Sequence, residues 1–287
     1  MIEKDKEAID LENKLETSRG FVNIRVTGDV NDDKDIIVLV SGVNGSISYY
    51  DAITPYLTDK YTVVAMDLLG QGNSSEGKDD LYTIDIEAWA MWEGIGRIKI
   101  LKPVIVFGYG VGGLIVNRMA EQHDIAMSKK IMLNTPATQK YADLDTSTTL
   151  SSIPLLGKMA KSSVKSNLYF AKDFDTSNLE DPNVIADSAK ETDKKVAKQL
   201  LKSTDKYLEE MALNRRMRKF NLPTLALFSD GDQILGEAGI KDAKATIGRV
   251  PNLKMEDVPN TGHIAFIEKP AEIAKKIIAF DESTPTE

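Results

Sequence analysis

Residues 103–120 constrain this 287-residue chain more than any other stretch. The apolar run Pro103-Val104-Ile105-Val106 leads into Phe107-Gly108-Tyr109-Gly110-Val111-Gly112-Gly113, and helix-forming residues resume at once with Leu114-Ile115-Val116. A strand that stops on glycines and restarts as a helix is a junction of α/β sheets, where catalysis or phosphate binding is often built. Gly108, Gly110 and Gly113 also carry the Gly-x-Gly-x-x-Gly spacing of a dinucleotide fingerprint.

The flanking pattern agrees with an α/β sheet. Lys14–Thr17, a Ser18-Arg19-Gly20 turn and Phe21–Thr27 read as a hairpin with alternating apolar positions. Asp35–Val40 is a continuous apolar run, as expected of a strand covered on both faces. Further strands are expected at Tyr61–Asp67, 103–107, Lys130–Asn134, Thr224–Phe228 and Asn252–Val258, with helices starting near Ser48 and covering about 84–98, 114–122 and 270–280. This alternation implies βαβ units and a mainly parallel, twisted sheet flanked by helices.

From about Pro136 to Asn221 the pattern turns helical throughout, with Leu150, Ile153, Leu156 and Met159 spaced for one helix face. A helical block between two sheet strands is expected to be an inserted cap over the sheet's carboxyl edge, where α/β ligands bind. Leu155, Tyr169 and Phe170 in that block fit helix packing as well as they fit a pocket lining. The expected organisation is a core of residues 13–136 and 222–280, a helical cap at 137–221, and flexible termini at 1–12 and 281–287.

Composition narrows the chemistry. A formal charge of −8, with no basic cluster, argues against a nucleic-acid partner or an anionic membrane surface. The absence of cysteine removes disulfides, thiolate catalysis and Cys-ligated zinc. With His123 and His263 the only histidines, a His-rich metal site is not expected, and no cofactor is implied. The charged N-terminal run Met1–Glu7 lacks the apolar segment of a secretory signal. No apolar run approaches the roughly 20 residues of a membrane span, and the chain reads as cytoplasmic.

Several motifs fall in one order. Asp67-Leu68-Leu69-Gly70-Gln71-Gly72-Asn73-Ser74 follows a strand; the glycine junction, the helical block, Pro223-Thr224-Leu225 with Ser229-Asp230-Gly231-Asp232, and Asn260-Thr261-Gly262-His263 come after it. In this arrangement the chain resembles the α/β-hydrolase superfamily, specifically its small cap-bearing members, over about residues 14–280. The resemblance makes 103–120 that family's Gly-x-Ser-x-Gly nucleophile elbow with glycine at the serine position. It implies a hydrolase of small ester-like or amide-like acyl compounds.

Serine hydrolysis needs a nucleophile, a histidine to take its proton, and a carboxylate to hold the histidine's tautomer. The resemblance implies Asp232 as the acid and His263 as the base, both just past strand ends, with Gly110 at the nucleophile position. Taken alone, Asp-Gly-Asp is ordinary turn chemistry and a lone loop histidine is usually a satisfied one. Asp230 is the nearby competitor for the acid, and the family spacing from Pro223 favours Asp232. His123 reads as a helix C-terminal residue, where a cationic ring suits the helix dipole.

Glycine tolerates the strained backbone of an elbow, so the turn can survive without a hydroxyl. Tyr109 and Val111 are expected to project away from the pocket centre and cannot substitute for it. The implied oxyanion donors are the backbone N–H groups of Val43 and Val111, with Ser41-Gly42 where the family often has His-Gly. Ser41 and Tyr109 are candidates to orient a substrate hydroxyl.

The dinucleotide reading expects the fingerprint to open the sheet and an acidic residue about 20 positions later. At least three strands precede the junction, and Leu133-Asn134-Thr135 occupies the acid's place. The implied function is a hydrolase-class protein without its serine, whose turnover is weak, water-mediated in the space above Gly110, or absent. The alternatives are a non-catalytic small-molecule-binding pseudoenzyme and a His/Asp general-base enzyme, either a lyase or a cofactor-free oxygenase. In each case the partner is a small molecule, and oligomeric state stays open.

Overall fold

The computed structural model describes residues 11–142 and 166–284. The helix face expected from Leu150, Ile153, Leu156 and Met159, and Leu155 with it, lies outside the described residues.

β1 (Leu11–Thr17) and β2 (Gly20–Thr27) form the expected hairpin, with Leu15 opposite Val22. The strand begins at Leu11, inside the stretch 1–12 expected to be flexible. β3 (Asp35–Val40), β4 (Tyr61–Met66), β5 (Val104–Tyr109), β6 (Met127–Leu133), β7 (Thr224–Ser229) and β8 (Leu253–Val258) complete an eight-stranded sheet. Its order is β1-β2-β4-β3-β5-β6-β7-β8, antiparallel at β1/β2 and β2/β4 and parallel from there on. This is the expected α/β-hydrolase architecture. Along β3, Ile36, Val38 and Val40 enter the core on one face while Ile37 and Leu39 enter the core on the other. That alternation is the period-2 geometry of a strand buried on both sides.

α1 (Ile84–Arg97) is capped by Thr83, whose hydroxyl accepts the Ile86 N–H, and α2 (Val111–His123) starts directly on the glycine junction. The helix expected near Ser48 forms instead as two short 3-10 turns, Ile47–Tyr50 and Thr54–Tyr56. Pro55 lies in the second turn and lacks the N–H that would reach Asp51 O in a continuous α-helix.

Between β6 and β7 the described residues include α3 (Val184–Glu191), α4 (Lys194–Glu210) and α5 (Leu213–Met217). α4 buries Val196, Leu200, Tyr207 and Leu208 and packs against α1 and α2. α3 meets the 47–50 turn, where Ser188 Oγ lies 2.7 Å from Ser46 Oγ. α6 (Gly236–Ile247), α7 (Ala265–Glu268) and α8 (Pro270–Ser283) follow.

The C-terminal expectation needs correction. α8 runs to Ser283, and Asp281, expected to open a flexible tail, is buried. Its carboxylate accepts from Lys129 Nζ at 2.5 Å and from the Tyr61 hydroxyl at 2.8 Å. Local composition hides this anchor because both partners lie on distant strands.

Candidate active site

The elbow is built by close packing. Gly110 has φ +53° and ψ −121°, a conformation strained for any residue with a Cβ. Its N–H donates to Leu133 O at 2.9 Å, tying the turn to β6. The neighbouring glycines allow α2 to approach the sheet: a Cβ on Gly112 would lie 2.6 Å from Ser41 O, and one on Gly113 would collide with Thr135 Oγ1. Helix–sheet packing therefore accounts for the glycine spacing that imitates a dinucleotide loop, and β5 lies inside the sheet between β3 and β6.

The loops after β7 and β8 bring Asp232 and His263 together. Asp232 Oδ2 lies 2.9 Å from His263 Nδ1, and both side chains are buried. The other carboxylate oxygen accepts the N–H groups of Ile234 at 2.8 Å and Leu235 at 3.2 Å. Asp230, the competing acid, is exposed and accepts the Asn260 N–H at 2.6 Å. His123 is at the exposed end of α2 beside Trp89 and Trp92.

The far nitrogen of the His263 ring faces the elbow. A Cβ built on Gly110 would lie 2.6 Å from His263 Nε2, closer than real side chains approach. The imidazole thus occupies part of the volume that a side chain at residue 110 would need.

The loop after β3 carries the expected oxyanion donor Val43, which is half-buried, while Val111 is buried in the first turn of α2. Asn44, at φ +61°, donates its N–H to Gln71 Oε1 at 2.6 Å, and Ile47 N–H reaches Asp67 Oδ1 at 2.7 Å. Asp67 also accepts from Asn23 Nδ2 at 2.9 Å and Asn73 N–H at 3.0 Å. A Cβ on Gly72, at φ +52°, would press into this carboxylate. The Asp67–Ser74 motif therefore braces the loop after β3. Burial holds the Asp67 carboxyl above its ordinary range, while the three hydrogen bonds and Arg25 pull it down.

Ser41 is fully buried and its hydroxyl finds no hydrogen-bond partner. The Tyr109 ring packs against Gly42, stacks on Tyr49 at 6.3 Å and meets His263 edge-on at 5.8 Å. Its hydroxyl is buried and unpartnered.

Two polar residues escaped the sequence reading. Glu268 Oε1 accepts the Gly262 N–H at 2.8 Å and the Ala171 N–H at 3.1 Å, joining the histidine loop to the segment before α3. Burial pushes its carboxyl up. Asn134, where the dinucleotide reading wanted an acid, bonds the end of β7 and the histidine loop. Its signal in the sequence is a polar residue directly after an apolar strand. Among the described residues, no group of three or more His, Cys, Asp or Glu is placed to hold a metal. Nor is any helix among them long and apolar enough to cross a membrane.

The fold agrees with comparisons to known proteins. The sequence profile of the alpha/beta hydrolase fold family matches residues 35–270, and the chain belongs to that family. An uncharacterized hydrolase, YugF of Bacillus subtilis, is 23% identical over 263 residues, covering 90% of this chain and 94% of YugF. Lipase 3 of a Moraxella species is 26% identical over 293 residues, covering 98% and 88%. Among solved structures, a putative lipase of Acinetobacter baumannii superimposes with a TM-score of 0.72 at 16% identity, over 95% of this chain and 91% of that one. A serine-to-glycine mutant of the N-acyl homoserine lactonase AidH, complexed with N-hexanoyl homoserine lactone, gives 0.69 at 20% identity, over 94% and 97%.

Proposed function

We propose that this protein takes a small neutral acyl compound, an ester, amide or lactone, at the carboxyl edge between Gly110, His263 and the Val43 loop. The observation that carries this is the Asp232–His263 pair at 2.9 Å with Nε2 turned to the elbow. In this reading the Val43 and Val111 N–H groups receive the acyl oxygen, and Asp232 keeps the ring protonated on Nδ1 so that Nε2 accepts a proton. No acyl-enzyme forms at residue 110, because glycine has no attacking group. Hydrolysis then requires His263 to withdraw from the elbow and to deprotonate a water that attacks the acyl carbon, and it is slow.

Replacing Gly110 with serine tests the reading. The φ and ψ at this position are those of an elbow, so the variant should fold, with the imidazole displaced outward. Losing a triad nucleophile typically leaves only about 10³–10⁴-fold over the uncatalysed reaction. Hydrolysis of short-chain p-nitrophenyl esters should therefore rise at least about 100-fold in Gly110→Ser. A variant that folds and shows no gain sinks the hydrolase reading.

The close approach of the imidazole to Gly110 favours a second reading, ligand binding without turnover. In that case neutral acyl compounds raise the melting temperature without being consumed, and His263→Ala leaves that shift largely intact. The glycine-substituted AidH whose fold resembles this one was solved with N-hexanoyl homoserine lactone, a neutral acyl compound of the class proposed here.

A further inference from the structure

We infer that Asn134 is the positioning residue that sets the Asp232–His263 geometry. The inference rests on the reading of that pair as the working groups of the site. It does not depend on which ligand the site takes.

Asn134 directly follows β6 with φ +50°, and its backbone N–H donates to Leu227 O on β7 at 2.9 Å. Its side chain is fully buried. The oxygen Oδ1 accepts the Ser229 N–H at 2.8 Å, and Nδ2 donates toward Ser229 Oγ at 3.0 Å, Gly262 O at 3.1 Å and His263 O at 3.0 Å. The amide orientation follows from the partners: a backbone N–H only donates and the two carbonyls only accept. Two amide hydrogens serve three acceptors, so one hydrogen is shared.

The bonds run between the two halves of the pair. Ser229 ends β7 shortly before Asp232, and Gly262 and His263 form the loop that holds the ring. The β7/β8 ladder stops at Ser229 opposite Val258, and past it the Gly231 N–H donates to Thr261 O at 3.0 Å. Asn134 adds the tie to the backbone of His263 itself. Asparagine suits the place twice over. It tolerates the left-handed backbone, and it supplies an acceptor and two donors from one planar group.

Two substitutions separate those properties. Asn134→Gly keeps the backbone freedom and removes the clamp. Asn134→Asp keeps the backbone tolerance and the acceptor for Ser229 N–H but loses the donors to the Gly262 and His263 carbonyls. The readout is the tautomer of His263, from two-bond ¹H–¹⁵N correlations of the uniformly labelled protein. Its two histidines give two ring patterns, and His123 serves as the internal reference.

The parent should hold His263 as the Nδ1–H tautomer. Both variants should lose that preference while His123 is unchanged and thermal unfolding stays cooperative. In the Gly110→Ser background the same changes should lower kcat about tenfold or more, with KM within about twofold. Unchanged His263 tautomer in folded Asn134→Asp and Asn134→Gly overturns the inference, as does failure of both to fold, which would make Asn134 a structural turn residue. If Gly110→Ser gains no activity, the hydrolase reading fails and the tautomer measurement still decides the role of Asn134.

Discussion

Asp67 and Asp232 are both buried aspartates placed just past sheet strands, β4 and β7, and each accepts two backbone N–H groups. They differ in what the remaining capacity meets. Asp67 takes the Asn23 side-chain amide, a fixed donor that does not titrate, and the whole assembly holds the loop after β3 against the sheet. Asp232 collects its backbone donors on one oxygen and leaves the other to the His263 ring. A carboxylate saturated by fixed donors can only hold backbone in place. One that keeps an oxygen for an imidazole can set a tautomer and stabilise a positive ring.

The strongest way to break this contrast is to exchange charge for shape at the second site. In the Gly110→Ser protein, Asp232→Asn should lower kcat about 10⁴-fold, because the amide favours the wrong histidine tautomer. Urea unfolding of the same variant should move by only about 1 kcal/mol, since the Asn oxygen still accepts the Ile234 and Leu235 N–H groups. A stability loss as large as that of an Asp67 variant would erase the distinction.

At Asp67 the balance should reverse. Asp67→Ala leaves three donors without their acceptor and should destabilise the fold by about 3–5 kcal/mol in urea titrations. Ring geometry at His263, read from its tautomer, should be kept in the fraction that remains folded.

A smaller effect sharpens the structural side. Glu87 on α1 accepts the Leu69 N–H at 3.0 Å, within the loop that Asp67 organises, and complete burial pushes its carboxyl from 4.5 up to about 8. The folded protein therefore retains a proton there that the unfolded chain releases at lower pH. The stability this contributes is complete below about pH 4.5 and is lost as pH rises through about 8. Glu87→Gln should flatten that slope across the same window in unfolding experiments. Its pH dependence should leave the His263 tautomer untouched.

Much of the fold is legible in the sequence. The strand–glycine–helix junction, the apolar runs and the order of the later motifs point to one sheet architecture, because each depends on local periodicity or turn chemistry. The glycines of 108–113 were harder to apportion. Their spacing fits a phosphate loop, and the approach of α2 to Ser41 and Thr135 is what accounts for them. The helix expected at Ser48 gives way to two 3-10 turns, with Pro55, a local signal present in the sequence, in the second. Asp281 is the opposite case. Nothing near it announces Lys129 and Tyr61, which reach it from strands far away in the chain.

The site divides along the same line. Asp232, His263 and Gly110 could be named as candidates from motif order, since loops at strand ends of a parallel sheet share one edge. Motif order carries no information on distances across that edge. The 2.9 Å approach of Asp232 to His263, the ring's entry into the space at Gly110 and the Asn134 bonds to two loops arise from packing between segments remote in sequence. Local propensity sets which elements form and where chemistry gathers. Whether a ring nitrogen meets a carboxylate, a water or an empty elbow depends on side chains that become neighbours only when the sheet closes.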